Sequence, residues 1–323
     1  MSDPGTRYAD ARLIEIENRL RSVYNAAARE IVEQMNAGNE RFRAADAVRR
    51  ALVENGKMTE ADYQSWVRRQ MMTDKIWKDK LNSAAIVLLE ANEQAARIVD
   101  GERRAVFGEN ATWQAYQLEH DAGLNLSFAV YDSATVTRLI SEQPNLLPPR
   151  VINGERDKAW NRGKMSAIIA RSIIAGLSVP EIAKAIGEET AVANEKAAVR
   201  YARTAMTAAQ NAGRMEVLHE AQEMGIDVRK VWLATLDERT REAHTLLDGQ
   251  EQKVDDPFDS ILGPIMYPGD PSADDENVWN CRCTLTYEYK EYPQQNAMRY
   301  DQLNGVNIED MTYSEWIEAK GGR

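Results

Sequence analysis

From Leu13 the apolar positions Ile16, Leu20, Val23, Ala27 and Ile31 recur at steps of three and four, and Gly38 follows as a natural terminator. That spacing predicts one amphipathic helix of about seven turns. A second stripe opens at Thr59 and runs past Tyr63, Trp66, Met71, Ile76 and Trp77. Near Asn82-Ser83 it gives way to a third, through Ala84, Leu88, Ala91, Ala95 and Ile98, which Gly108 is expected to end. No strict heptad is sustained, so the pattern predicts long antiparallel helices packed as a bundle or hairpin rather than a free-standing coiled coil. Packing of this kind also accounts for the Met and aromatic residues of the region.

The stretch Asn145-Leu-Leu-Pro148-Pro149-Arg150-Val-Ile-Asn153-Gly154 cannot continue a helix, because two prolines fix φ, remove donors and drive the preceding residues extended. Helices resume at about Asp157, covering Trp160, Met165, Ile168, Ile169 and Ile173. Gly176 then stops the chain, Ser178 is placed as an N-cap, and Glu181 completes a capping box, the signature of a tight helix-turn-helix hairpin. Its second helix, Glu181–Glu189, sets one lysine against three glutamates, which argues against sequence-specific DNA reading. The next helix, from about Glu195 to Met224 and closed by Gly225, is rich in alanine and contains Arg203, Thr204, Asn211 and Gly213. Small side chains allow close approach, so this helix is expected at the centre of the C-terminal domain.

Beyond it the period changes from 3.6 to 2. Residues 231–236 read as a strand through Trp232. Asp237 is placed to cap a short helix carrying Arg239, Arg241 and His244, before Asp248-Gly249 ends it. Gln250 to Val254 reads as a second strand. After a loop holding Pro257, Pro264, Pro268 and Pro271, Asn280 to Tyr289 alternates again, with Cys281, Cys283, Leu285, Tyr287 and Tyr289 on one face. The fold class expected is mainly α with a small α+β C-terminal domain and a short antiparallel sheet. The organisation is a helical region over 1–144, a linker or extended arm over 145–156, and a domain over 157–323 whose core is about 195–289 and whose tail is 290–323.

Composition narrows the classes. A chain of 323 residues fits two domains. No run of apolar residues is long enough to span a bilayer, and the first residues have neither a basic nor an apolar leader segment, so residence in the cytoplasm is expected. Both cysteines sit in one four-residue motif, which offers no framework of disulfides. The net charge of −11 is uneven: residues 229–323 hold 10 Lys or Arg against 19 Asp or Glu. An acidic surface repels phosphate backbones, so extended DNA binding by this part is not expected, and the charge serves solubility or docking to a basic partner.

Three readings compete for His244, Cys281 and Cys283. A Cys281–Cys283 disulfide between i and i+2 positions of a strand is strained. With His244, and Asp237 or Asp248 as a fourth ligand, the thiols form a possible zinc site, although one Cys-x-Cys and a distant His is a weaker signature than paired knuckles. The third reading makes the thiols small apolar residues and His244 a hydrogen-bonded clip between helix and sheet. Arg239, Arg241 and Arg282 beside Asp237, Asp248 and Asp270 suggest a charge-paired network fixing the proline-rich loop. The enzymatic alternative uses His244 as general base, Asp237 to orient it and an arginine to hold an anion. No phosphate loop, His-Glu-x-x-His or nucleophile elbow occurs. His120 and His219 read as surface or packing residues.

The order Arg203-Thr204, Asn211, Trp232, Asp237-x-Arg239-x-Arg241-x-x-His244, Asp248-Gly249, Pro268-Gly-Asp-Pro and Asn280-Cys281-Arg282-Cys283 resembles the minor head, or head morphogenesis, proteins of tailed bacteriophages, the family that includes the F protein of phage Mu. The likeness runs from Ile168 to Tyr287. It implies a structural head component without catalytic activity and without a required cofactor, present in few copies and associated with the portal protein, whose ring would impose its oligomeric state. Major capsid or scaffolding protein are further partners it suggests. It implies a place in the virion head near the portal vertex, after assembly in the host cytoplasm, and a part in head assembly and in DNA packaging or ejection. The alternative, an enzyme with a metal-assisted or nucleotide-handling site around His244, Cys281 and Cys283, requires a polar cleft open to solvent there.

Overall fold

The first helix begins before its apolar stripe does. Asp3 caps it, its carboxylate accepting from the Thr6 amide and the Thr6 hydroxyl, each at 2.9 Å, and Pro4 fills the first turn, where a missing N–H costs nothing. The resulting α1 (Pro4–Asn36) buries Ile16, Leu20, Ala27 and Ile31 as the spacing predicts, with Tyr24 fully buried beside a half-buried Val23. The structure is a computed structural model. It describes all residues except 1–2, 39, 74, 124–125, 236–237, 290–297, 302–305, 310–317 and 319–323, and for 40–41, 72–73, 298–301 and 306–309 the backbone alone.

Next come α2 (Glu40–Glu54), α3 (Glu60–Thr73) and α4 (Lys75–Ala122). Here the helix boundaries differ from those the stripes predict. α4 runs through Asn82-Ser83, whose side chains are exposed and leave the helical ladder intact, and Ile76 is exposed rather than part of the buried stripe. Gly108 lies inside α4 instead of ending it. A Cβ there would sit 2.6 Å from the Tyr131 carbonyl oxygen, so this glycine permits a close contact and does not mark a stop.

Asp132 caps α5 (Ser133–Glu142) by accepting from the Thr135 amide at 2.8 Å. Asn153 caps α6 (Gly154–Ile174) by accepting from the Arg156 amide at 3.1 Å, and the Pro148-Pro149 segment between them carries neither helix nor strand. The hairpin after α6 forms as its sequence predicts. Gly176 turns at φ 71°, and the Ser178 amide and hydroxyl both donate to Glu181 at 2.6 Å. The hairpin opens into a single 45-residue helix, α7 (Val179–Glu223), in place of the two expected over 181–189 and 195–224. Gly187 does not break it: a Cβ on Gly187 would lie 2.6 Å from Val32 Cγ2 and 2.8 Å from the Ala28 carbonyl oxygen.

The rest of the chain runs β1 (Val228–Leu233), α8 (Glu242–Thr245), β2 (Glu251–Lys253), β3 (Phe258–Ser260), β4 (Gly263–Ile265), α9 (Asp275–Val278), β5 (Thr284–Tyr289), β6 (Met298–Asp301) and β7 (Val306–Glu309). A three-stranded antiparallel sheet has the order β2-β1-β5, with Trp232 opposite Leu285. β3–β4 and β6–β7 are separate hairpins. Along β1, Val228, Lys230 and Trp232 alternate into the interior. The architecture is mainly α with a small antiparallel β portion, as expected. Among the described residues no helix is long and apolar enough to cross a membrane.

Contacts divide the chain into two units, and neither is contiguous in sequence. One comprises Asn18–Ile98 and Arg150–Val199. It holds a buried amide network in which Tyr24 donates to Asn92 Oδ1 at 2.7 Å, Asn92 donates to Asn194 at 3.0 Å, and Asn194 donates to Asn161 at 2.8 Å. The other comprises Met1–Glu17, Val99–Pro149 and Arg200–Arg323. It contains all the sheets and every residue of the signature.

Candidate functional site

One face of α7 organises the Asn280-Cys281-Arg282-Cys283 segment. Thr204, Thr207, Asn211 and Arg214 follow one another at helical spacing. Thr204 Oγ1 accepts from the Asn280 amide at 3.1 Å, and Thr207 Oγ1 donates to the Cys281 carbonyl at 2.8 Å. Asn211 Nδ2 donates to the Cys283 and Pro268 carbonyls at 3.2 and 3.1 Å, while its Oδ1 accepts from the Leu285 amide at 2.8 Å. Arg214 donates to the Leu285 carbonyl at 2.9 Å. Side chains of the helix thus satisfy the main chain of a loop whose cysteines are buried, where polar groups would otherwise be left unpaired. The cysteines lie in that loop, ahead of β5, and not within the strand where the alternation places them. Asn280 takes a left-handed φ of 58°, a conformation that asparagine tolerates better than most residues.

The proline-rich loop is pinned in the same way. Gly269 turns at φ 85°, and a Cβ there would meet the Ala208 amide nitrogen at 2.8 Å. Where the sequence suggests ion pairs, Asp270 accepts instead from the Met266 and Ser272 amides at 3.0 and 2.8 Å, and Asp248 accepts from the Ala234 amide at 2.8 Å. Arg241 donates to the Trp279 carbonyl. Gly249 turns at φ 73° and ends the turn after α8 as expected. Asp237 lies outside the described residues.

At the centre are His244, Cys281 and Cys283, all about 2–3 % exposed. His244 Nε2 lies 3.0 Å from Asn277 Oδ1. Asn277 Nδ2 donates to the Gly263 carbonyl at 3.0 Å, which fixes that amide so that its oxygen faces the ring. Nε2 therefore carries the proton and the Nδ1 lone pair points away from Asn277. Nδ1 lies 3.5 Å from Cys281 Sγ and 3.6 Å from Cys283 Sγ. Trp232 packs edge-on against His244, with centroids 5.1 Å apart, and against Phe258 at 5.3 Å, walling the cluster in apolar surface. The Cys281 thiol and the nearby His244 ring pull the Cys283 pKa down, against the burial that opposes ionisation. Cys281 is pushed up in turn by Cys283 and by burial.

A second group faces a cleft of about 510 Å³ lined by Asp10, Arg203, Arg239, Asn280 and Arg282, among others. Arg203 also pairs with Glu17 at 2.8 Å. The signature therefore separates into a buried His-Cys-Cys centre, a set of main-chain clamps and a cationic cleft.

Residues 164–286 match the family described as Phage Mu protein F like protein. This region belongs to that family. Over 317 residues, 97% of this chain and 96% of the relative, the sequence is 28% identical to the Minor head protein GP7 of Bacillus phage SPP1. Over 163 residues it is 37% identical to the NAD(+)--arginine ADP-ribosyltransferase EFV of Enterococcus faecalis, a match that covers 48% of this chain and 32% of that protein. No solved structure matches.

The Mu F-like region holds every signature residue, yet four contributors escape a sequence reading. Thr207 and Arg214 continue the spacing set by Thr204 and Asn211, which is the signal that finds them. Lys230 alternates with Val228 and Trp232 along β1. It is fully buried, donates to the Met266 carbonyl at 2.9 Å and lies 5.1 Å from the Phe258 ring centroid. Burial pushes its pKa down to about 8, against the pull of Asp270, Asp255 and Asp256. Asn277 has no signal in the sequence beyond its place in an acidic turn. Of the remaining histidines, His120 lies beside Asp121 at 3.1 Å and His219 beside Asp255 at 3.3 Å, so each has a partner that the sequence did not indicate.

Proposed function

We propose that this chain is a structural minor head protein of a tailed bacteriophage, associated with the portal and acting in head morphogenesis and in DNA packaging or ejection. The observation that carries this reading is the alignment, over nearly the whole of both chains, with the Minor head protein GP7 of Bacillus phage SPP1. An alignment of that extent covers the helical N-terminal part as well as the Mu F-like region. The partners are the portal protein, whose ring sets the copy number, and the major capsid or scaffolding protein. The chain is made in the host cytoplasm and ends in the virion head near the portal vertex.

An enzymatic reading draws on the match to the ADP-ribosyltransferase, but about two thirds of that enzyme lies outside the match. His244 and both thiols are also buried, His244 against Trp232, and a general base or nucleophile needs access to substrate. A structural role without catalysis is the better account. The test is to follow an epitope-tagged copy through head purification. It is expected to sediment with DNA-filled heads at a few copies each. A chain abundant in the lysate and absent from purified heads contradicts the proposal.

A further inference from the structure

We infer that His244, Cys281 and Cys283 bind a zinc ion through Nδ1 and the two sulfurs. These three donor atoms lie within 4.8 Å of one another. A tetrahedral zinc with bonds of about 2.3 Å to sulfur and about 2.05 Å to nitrogen sets each sulfur about 3.6 Å from the nitrogen. The separations are 3.5 and 3.6 Å.

Hydrogen bonding alone does not explain this arrangement. Nδ1 offers one lone pair, so it accepts one S–H well, yet both sulfurs stand at the same distance from it. A metal on that lone pair, equidistant from both sulfurs, gives this pattern directly. The surroundings also fit. Asn277 holds the Nε2 proton at 3.0 Å and is itself fixed by the Gly263 carbonyl and by the Ser260 hydroxyl at 3.3 Å, the outer partnership that metal-bound imidazoles need to stay in one tautomer. The Cys283 amide donates to Cys281 Sγ at 3.4 Å. That contact suits a metal-bound sulfur, which accepts from an N–H.

Charge balance agrees as well. Binding replaces two thiol protons, which leave to solvent, by one Zn²⁺, so the buried unit of two thiolates, a neutral imidazole and the ion carries no net charge. No further His, Cys, Asp or Glu among the described residues joins the group. The ion ties α8 to the loop before β5, and it does so whether or not the chain acts in a phage head.

The test uses the full chain, produced in zinc-supplemented medium and purified without chelator. Elemental analysis is expected to give about one zinc per chain, and exchange for Co²⁺ to give a thiolate-to-cobalt charge-transfer band with the strong visible absorption of four-coordination. Cys281→Ser and Cys283→Ser each abolish that band. Asn277→Ala, which touches no sulfur, weakens zinc binding about 10–100-fold in chelator competition. Should the serine variants fail to fold, the cobalt spectrum of the unaltered chain still decides. A folded unaltered chain that carries no zinc, takes up none when it is added and shows no thiolate band overturns the inference. Zinc retained equally by the folded serine variants overturns it too.

Discussion

Replacing Arg214 by alanine is expected to destabilise the protein by about 3 kcal/mol, read as a lowered urea midpoint. Arg214 is 3% exposed and pairs with Asp3 at 2.6 Å. It also donates to the Leu285 carbonyl at 2.9 Å and to Asn110 Oδ1 at 3.2 Å, so one guanidinium joins the cap of α1, the C-terminal third of α4 and strand β5. Removing it takes the charged partner from the Asp3 carboxylate, which keeps its bonds from Thr6, and a donor from the Asn110 amide oxygen and the Leu285 carbonyl. Breaking a buried pair costs about 3–5 kcal/mol, and the lower end applies because a quarter of the Asp3 side chain still meets water. Arg203→Ala is the contrasting case. Its ion pair with Glu17 is half exposed, and its loss is expected to cost less than about 1 kcal/mol.

The same pair gives a pH dependence with a definite sign. Burial pushes the Asp3 carboxyl up, but the charge of Arg214 and the bonds from Thr6 outweigh it and hold the pKa below 3.8. The contribution of Asp3 is therefore complete above pH 3.8 and is lost as the pH falls through the depressed folded-state value. The Arg214 variant is expected to lack that part of the acid limb. An unchanged acid transition would show that the pair does not contribute.

Gly213→Ala is expected to be the most damaging single methyl added to α7. The new Cβ would lie 2.3 Å from the Phe107 carbonyl oxygen and 3.1 Å from the Ala111 amide nitrogen. Both are backbone atoms of a helix, which cannot swing aside as the tip of a side chain can. Overpacking of this kind costs typically 1–3 kcal/mol, and the top of that range, about 3 kcal/mol, is expected here. Gly101→Ala, also inside a helix but with nothing within 4 Å of the added carbon, is expected to be neutral or to stabilise by up to about 1 kcal/mol. Thermal melts of the two variants compare them directly. Equal effects would contradict the packing argument.

These glycines also show how far the sequence can be read. Gly176 and Gly249 end helical segments as written, because a positive φ is a local property that flanking residues announce. Gly108 and Gly187 carry the same letter, yet each lies inside a helix because a neighbour remote in sequence presses against it. Nothing local tells the two uses apart. Apolar spacing found the stripe from Ile16 to Ile31 and strand signals near β1 and β5. It did not separate out α2 or α5, and it did not mark the start of α1, which is set by the Asp3 cap. At the site, the Cys-x-Cys pair and His244 stood out because few such residues occur in the chain. Arg214 did not, since an arginine on an alanine-rich helix ordinarily faces solvent, and its burial depends on Asp3 at the far end of the chain. Asp248 and Asp270 invited pairing with arginines by proximity of charge, whereas the turns present main-chain amides to them at shorter range.

Co-expression of the tagged chain with the portal protein of the same phage genome tests whether the chain is a portal-associated structural component of a phage head. A complex that survives affinity capture and size-exclusion chromatography, with the chain bound to the portal ring, is expected. A folded chain that elutes alone while the portal assembles beside it would contradict it.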